Sequence, residues 1–471
     1  MKRFIEAFQN IFRIPDLRKR VLFTLALLAV YRVGSFIATP GINTELLRDI
    51  LQRLQAEGSV IAIVNLFSGG NFANMTIFAL GIMPYITASI ILQLMTVVWP
   101  YLEQLQKEGE LGRRKITQYT RYLTVLLSLI QSFGIARILM QQNIEQQGLV
   151  LNPGWGFTLM TMLTLTTGTA FIMWLGEQIS DRGIGNGMSL IIFAGIVVGL
   201  PGAISDLLDK FANRAWGAFT PIAMGALLLM MVIVVAFIVL VEGGQRRIPV
   251  QYAKRVVGRR IMGGQMTYLP LRVNSGGVIP PIFASSLLTF PGTIALMFGA
   301  QFSGLREFSR MFSSGEVLHM IVYAALIIFF AFFYVGIVFN PTELADNMRK
   351  YGGFIPGIRP GRHTSEHISR ILSRLTFVGG CYLALVCLIP EWMLFGIKLH
   401  HLPTWLGGAW FDQNLPDWIL NGLNVQFYFG GTSLLIVVGV AMDTVQQLEA
   451  QLVMRHYEGF VRKGRLRSRR G

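Results

Sequence analysis

This 471-residue chain has few charged residues and only two cysteines. Only 14% of its residues are charged, about half of what a soluble protein carries, and 53% are hydrophobic. The charges fall in short clusters. The stretches between them mostly lack a polar face at helical spacing, which argues against one large soluble domain. The two cysteines, Cys381 and Cys387, have no disulfide or metal-ligand spacing, so we interpret them as small buried hydrophobes.

Several sequence signals of catalysis are also missing. No G-x-x-x-x-G-K-[ST] phosphate-binding loop occurs, so we do not expect the chain to hydrolyse nucleotide itself. The G-x-G-x-G run at 183–187 follows no strand and is interpreted as a flexible start to a helix. His363 and His367 lie four apart with no evident third ligand, which favours the start of an amphipathic helix over a metal site. We expect neither enzymatic activity nor a cofactor.

Long apolar stretches are what the chain has instead. Each is roughly 20 residues, the length that crosses a hydrocarbon core of about 30 Å. The first stretch contains Arg32 and is followed by many more, which favours an uncleaved helix over a signal peptide. Ten transmembrane helices are predicted near residues 21–39, 74–97, 122–141, 154–175, 185–203, 217–241, 274–296, 317–339, 375–394 and 424–443.

The basic residues predict the orientation of these helices. Lys and Arg total 32 in the two terminal segments and every second loop, against 7 in the alternate loops. Basic loops stay on the cytoplasmic side, so both termini are predicted to be cytoplasmic. The net charge of +16 agrees with this topology and with attraction to anionic lipids. Two long Arg-rich loops, 242–273 and 340–374, leave docking of ribosomal RNA or an acidic protein face as an open alternative.

Ionisable residues are scarce inside the predicted spans. Arg32, Arg137 and His319 lie within them, whereas Glu391 and Asp443 lie at span ends. Ion-coupled transporters usually place ionisable residues in the membrane interior. Their scarcity favours a passive conduit driven from elsewhere. An ion-coupled secondary transporter and a purely structural scaffold are the two alternatives.

Two spans and one short segment have features that suggest a path through the membrane. Pro84 in the second span, and Pro280 with Pro281 in the seventh, are expected to kink or break their helices. Both spans also carry uncharged polar side chains, so together they predict a polar path or a weakly sealed seam, although such side chains also bond to their own helix. The apolar segment 60–72 is too short to cross and is predicted to be re-entrant or half-buried.

Particular strings in this chain resemble the SecY family, the pore subunits of protein-conducting translocons. The match runs in order over nearly the whole chain. The strings are Phe67–Gly70, Ile77–Ile86, Gly183–Gly187, Gln245–Arg247, Tyr252–Arg255, Gly277–Ser286, Ile358–Gly361 and Phe429–Val437.

The resemblance implies an all-α fold of ten transmembrane helices in two inverted five-helix halves around a central pore. The halves would be residues 1–203 and 204–443, followed by a basic cytoplasmic tail at 444–471. The waist of the pore would be a ring of apolar side chains, formed by Ile82, Ile86, Met188, Ile192, Ile282 and Ile436. A plug near 61–73 would close it, with Asn65, Phe67, Ser68, Gly69 and Gly70 as its central residues.

The resemblance also implies a lateral gate and docking residues. The gate would lie between spans two and seven, along Thr87, Gln93, Ser286 and Phe290. The residues meeting a motor or ribosome would be Arg246, Arg247, Lys254, Arg255, Arg259, Arg260 and Arg359. Implied partners are the small subunits SecE and SecG, the SecA motor ATPase, the ribosome, unfolded preproteins and anionic lipids.

The implied location is the bacterial cytoplasmic (inner) membrane.

Two features depart from the family pattern. Met188 stands where the ring often has isoleucine, and the external loop 395–423 is longer than expected and has no assigned function.

Overall fold

The computed structural model describes most of the chain, and the chain divides into two compact units. The described residues are 14–48, 65, 68–145, 148–213, 220–252, 255–257, 260–262, 266–298, 316–395 and 431–464. Unit 1 comprises Met1–Ser205, Thr289–Ser313 and Ile436–Gly471, and unit 2 comprises Asp206–Leu288 and Ser314–Leu435. The division into halves at residue 203 stays a prediction.

Helices account for most of the described residues, as the long apolar stretches predict. They are α1 Pro15–Gly34, α2 Met83–Val98, α3 Pro100–Lys107, α4 Glu110–Glu145, α5 Trp155–Arg182, α6 Gly187–Val198, α7 Leu200–Ala212, α8 Thr220–Glu242, α9 Ile279–Phe298, α10 Val317–Val338, α11 Pro341–Lys350, α12 Arg362–Phe395 and α13 Gly431–Gly464. Each predicted span overlaps one of them. Within the described ranges, five helices are long and apolar enough to cross a membrane, or six if α2 and α3 count as one bent span.

The prolines of the second and seventh spans begin helices, so the prediction that they kink or break them is wrong. Pro84 is the second residue of α2, and Pro280 and Pro281 are the second and third residues of α9. The first helical turn has no internal partner for its N–H groups, so a proline there removes no hydrogen bond. The predicted span 74–97 therefore splits into a turn segment up to Ile82 and the helix α2.

The chain bends by 99° between α2 and α3, at Trp99. The short helix α3 is amphipathic: Leu102 and Leu105 are buried, whereas Tyr101 is exposed. Pro100 starts this helix in the same way that Pro84 starts α2. The basic loop that follows the predicted span 74–97 is therefore a bend at Trp99 followed by helical structure.

A small β-sheet in unit 2 shows that the chain is mostly helical but not all-α. Strands β1 (Gln245–Tyr252), β4 (Met266–Arg272) and β5 (Gly353–Phe354) form an antiparallel sheet in the order β4-β1-β5, and β2 (Arg255–Val257) pairs with β3 (Arg260–Met262). Ile248 and Val250 are buried while Arg246 and Arg247 are exposed. Ile248 joins a core that includes Leu271 on β4 and Ile368 on α12. The two Arg-rich loops thus fold together as one subdomain.

Candidate pore, plug and docking surface

The segment from Ser68 to Ile82 is a series of turns that leads into α2 within unit 1. Two backbone hydrogen bonds tie it to the residues after α1: Thr39 N–H donates to Met75 at 2.8 Å, and Ile77 N–H donates to Ile37 at 2.9 Å. Met75 and Phe78 are about 1% exposed. Met75 and Phe78 are therefore packed inside unit 1. Of the segment 60–72 that the sequence predicts to be re-entrant or half-buried, the structure describes Asn65 and residues 68–72, which are buried or half-buried.

Three polar side chains, all within the predicted plug 61–73, form the hydrogen bonds of the first part of this segment. Asn65 Oδ1 accepts the Ala73 N–H at 2.9 Å. Ser68 Oγ accepts the Phe72 N–H at 3.1 Å and donates to the Asn65 carbonyl at 3.1 Å. Asn71 Nδ2 donates to the Ser68 carbonyl at 2.6 Å. These bonds satisfy backbone N–H and carbonyl groups that have no hydrogen-bond partner in a helix or a sheet.

The two plug glycines allow tight turns in this arrangement. Gly69 has φ +68° and Gly70 has φ +81°, backbone conformations that favour glycine. Phe67, also assigned to the plug, lies outside the described residues, as do residues 61–64.

Four of the predicted ring residues are buried in unit 1. Ile82 and Ile86 lie four apart at the start of α2, where the Ile86 N–H donates to the Ile82 carbonyl, so their side chains share a face. Ile192 on α6 and Ile436 on α13 are also buried. Ile282 is buried in unit 2. These five isoleucines are buried, and their closure into one ring stays a prediction.

Met188 differs from the other ring residues because it is half-buried and packs against a neighbouring helix. Its sulfur occupies the space that a side chain on Gly176 of α5 would need. It lies four residues before Ile192 and therefore on the same face of α6. Methionine is flexible enough to fill such an irregular gap. The contact gives a packing reason for methionine at this position.

The uncharged polar residues assigned to the gate bond within their own helix where the structure describes them. Thr87 Oγ1 donates to the Met83 carbonyl at 3.0 Å, and Gln93 Nε2 donates to Ser89 Oγ at 3.3 Å, both within α2. This is the local bonding that sequence reasoning held open as the alternative. On α9, Ser286 is buried, and the side chain of Phe290 lies outside the described residues. The seam between the two helices stays a prediction.

The glycine run 183–187 is a tightly bonded turn between α5 and α6 rather than a free hinge. The Ile184 N–H donates to Thr24 Oγ1 on α1 at 3.1 Å, and the Gly185 N–H donates to Gln447 Oε1 on α13 at 3.1 Å. Asn186 caps α6 by accepting the Met188 and Ser189 N–H groups. A side chain on Gly187 would collide with the backbone of Gly176. The interpretation as a flexible start is therefore wrong.

The docking arginines that the structure describes lie on the β-sheet subdomain. Arg246 and Arg247 are exposed on β1, and Arg359 is exposed on the loop after β5. Thr364 Oγ1 donates to the Arg359 carbonyl at 2.9 Å, which fixes that loop on α12. The backbones of Arg255 and Arg260 lie on β2 and β3, and Lys254 and Arg259 fall outside the described residues.

Other candidate residues have structural roles. His363 and His367 lie in the first turns of α12, as the helix interpretation predicts, and no group of three or more metal-ligating side chains occurs among the described residues. Cys387 is buried as predicted, but Cys381 is exposed, so that half of the prediction is wrong.

Sequence reasoning missed one buried ionisable pair in unit 2. His319 Nε2 on α10 lies 3.0 Å from Glu391 Oε1 on α12. The geometry at this carboxylate oxygen is not that of a hydrogen bond. Both side chains are largely buried. The available signal was that His319 lies at the start of the predicted span 317–339 and Glu391 near the end of the next predicted span, 375–394, so both are next to loops poor in basic residues.

Apolar helices of spanning length, a buried isoleucine set and a basic sheet subdomain together define a multi-pass α-helical membrane protein. The SecY family model matches residues 76–445. The protein translocase subunit SecY of Escherichia coli (strain K12) is 48% identical over 456 residues, which are 96% of each chain. The chain therefore belongs to the SecY family.

Solved structures agree on the fold. A structure described as a protein conducting channel has a TM-score of 0.61 at 18% identity and covers 92% of each chain. Sec61 in a canine ribosome–channel complex from the endoplasmic reticulum has a TM-score of 0.57, with the same identity and coverage. At this identity the likeness shows a common fold, and the family membership comes from the sequence relatives.

Proposed function

We propose that this chain is a protein-conducting channel. It passes unfolded secretory polypeptides across the membrane and releases hydrophobic segments sideways into lipid. A partner motor or a ribosome supplies the energy, so the chain itself needs neither catalytic residues nor a cofactor. The observation that carries the proposal is the burial of the isoleucines assigned to the ring, Ile82, Ile86, Ile192, Ile282 and Ile436, in a chain of the SecY family.

The chemistry of the isoleucines supports a seal that opens for a polypeptide. Aliphatic side chains offer no fixed polar group to an ion, and an apolar constriction closes by losing its water. The same side chains can change rotamer around a passing chain. In this proposal Ile82, Ile86, Met188, Ile192, Ile282 and Ile436 form the narrowest ring, and the segment near 61–73 covers it at rest.

The finer architecture belongs to the same proposal. Ten spans form two inverted halves, an arrangement found in repeat-built transporters, and the gate opens between α2 and α9. Both termini lie in the cytoplasm of a bacterium, with the chain in its inner membrane. SecE and SecG accompany it, anionic lipids surround it, and SecA or the ribosome docks on the subdomain that carries Arg246, Arg247 and Arg359. Arg suits such contacts because its planar donors pair with carboxylate or phosphate.

Trapping a polypeptide in transit tests this function most directly. A photo-crosslinking residue placed at Ile82 or Ile282 should attach to a stalled secretory chain in the reconstituted complex, because both positions would face the constriction. Leu163 on α5, which is 71% exposed on the surface of its unit, provides the lipid-facing control and should not react.

Two results would contradict the function. An ion-coupled transporter would take up a small solute along a cation gradient and never label at Ile82. A structural scaffold would show neither transport nor labelling.

A further inference from the structure

We propose that Tyr31 on α1 and Gly195 on α6 form a two-point seat that holds the plug in its closed position. The two residues contact the segment 68–78 from two helices of unit 1. Neither belongs to the plug or to the ring. The inference rests on the proposed function because it assigns them as positioning residues for that plug.

The first point of the seat is a buried hydrogen bond. Asn71 Nδ2 donates to the Tyr31 hydroxyl at 3.2 Å, and the two side chains are 2% and 4% exposed. Asn71 also holds the turn together through the Ser68 carbonyl, so this single amide joins the internal structure of the plug to α1. A buried polar group is costly to leave without a partner, so the bond favours the closed position.

The ring of Tyr31 is fixed by aromatic packing. It stacks on Phe78 with centroids 5.6 Å apart and an interplanar angle of 15°, and Phe78 in turn stacks on Phe171 of α5. Phe78 also fills the space beside α1 that a side chain on Gly34 would need. Tyr31 therefore contacts the end of the segment with its ring and the plug with its hydroxyl, and the stack keeps the hydroxyl directed at Asn71.

The second point is a contact between two backbones. A Cβ on Gly195 would lie 3.3 Å from the Cα of Gly69, and a Cβ on Gly69 would lie 2.6 Å from the Cα of Gly195. Gly69 needs glycine for its φ of +68° as well. Gly195 lies inside α6, where glycine weakens the helix, so the close approach of the plug explains its lack of a side chain. Because α6 also carries Met188 and Ile192, the seat and the predicted ring share a helix.

The conservative change Tyr31→Phe tests the first point. It removes the hydroxyl and keeps the ring stack on Phe78. In the full complex reconstituted in bilayers, resting ion conductance should rise about threefold to tenfold, as expected for the loss of one hydrogen bond. Tyr122→Phe is the matched control, because Tyr122 is 65% exposed on α4, and it should conduct like the unaltered complex. Equal conductance of the Tyr31→Phe and unaltered complexes would overturn the inference.

Gly195→Ala tests the second point, and Gly336→Ala is its control because Gly336 has open space around it. The former should raise conductance by a smaller factor, since the plug needs to shift by only a few tenths of an ångström. Both Gly195→Ala and Tyr31→Phe are then repeated in a complex that lacks residues 61–73. If the seat acts through the plug, neither change has any further effect there.

The deletion also separates the two proposals. If removal of residues 61–73 leaves the resting complex as tight as before, the plug assignment itself fails. If removal makes it leaky but Tyr31→Phe still adds the same increase, the plug stands and the seat is wrong. Equal amounts of assembled complex for all variants exclude misfolding as the cause.

Discussion

The plug-bearing segment 68–82 in unit 1 and the β1–β4 hairpin in unit 2 both lie outside the long helices, but they are stabilised by different means. The hairpin has a continuous antiparallel ladder, from Gln245 opposite Arg272 to Gln251 opposite Met266, over an apolar core. The segment has turns in place of a ladder, and its first part depends on the side chains of Asn65, Ser68 and Asn71.

The difference matches the tasks proposed for the two regions. Opening the hairpin would break many hydrogen bonds and core contacts at once, so the hairpin is rigid. Its exposed arginines are therefore held in fixed positions. A turn held by a few side-chain hydrogen bonds can be released by breaking only those bonds, each of net worth of roughly 0.5–1.5 kcal/mol. A docking surface benefits from the first kind of stability, and a movable plug needs the second.

The largest effect on folding is expected from Ile368→Ala in the core beneath the hairpin. Ile368 is completely buried, and an isoleucine-to-alanine change in a core costs about 2–5 kcal/mol because it leaves a cavity. Hydrogen exchange of the β1 and β4 amides should accelerate strongly while exchange in segment 68–82 is unaffected. Met266→Ala, at a half-exposed position on β4, is the control and should change little. Unchanged exchange in Ile368→Ala would mean that this core does not hold the sheet.

A smaller effect is expected from Ser68→Ala in the plug. The change leaves the partly buried Phe72 N–H without its acceptor, which costs about 1 kcal/mol locally. Exchange of the Phe72 amide should accelerate while the hairpin amides stay protected. Ser373→Ala serves as the control, since the exposed Ser373 hydroxyl bonds only to its own helix. Faster exchange in both regions would show that the two are not stabilised independently.

Arg359→Glu should have the smallest effect on folding and should separate stability from docking. Arg359 is exposed, so the free energy of unfolding should change by about 0.5 kcal/mol or less. Translocation should nevertheless be blocked, because the reversed charge repels an acidic or phosphate-bearing partner. Arg370→Glu, at an exposed position on α12, provides the matched control in a preprotein export assay. Normal export by the Arg359→Glu complex would remove this residue from the docking surface.

Much of the helical architecture could be predicted from the sequence, because apolar length is a direct physical requirement of a membrane span. The positions of Pro84, Pro280 and Pro281 were misjudged for a specific reason. A proline in an apolar run is compatible either with a kink inside a helix or with a helix that begins at the proline. The choice depends on whether the preceding residues are helical, and the turns before Ile82 depend on packing around Met75 and Phe78.

The hairpin was present in the sequence as a weak signal. Ile248 and Val250 alternate with other residues in the period of two that indicates a strand, but the surrounding arginines and glycines resemble a loop. The candidate plug was predicted through family resemblance, whereas its hydrogen bond to Tyr31 and its approach to Gly195 join residues 40 and 126 positions apart. Such long-range partners follow from the folded arrangement and have no local sequence signal.

The glycine turn at 183–187 has a consequence for the opposite ends of the polypeptide. It donates one hydrogen bond to α1, at Thr24 Oγ1, and one to α13, at Gln447 Oε1. The first and last described helices are therefore joined at the turn from which α6 begins, and α6 carries Met188, Ile192 and Gly195. A displacement of α13 at Gln447 would act directly on this turn through the Gly185 hydrogen bond.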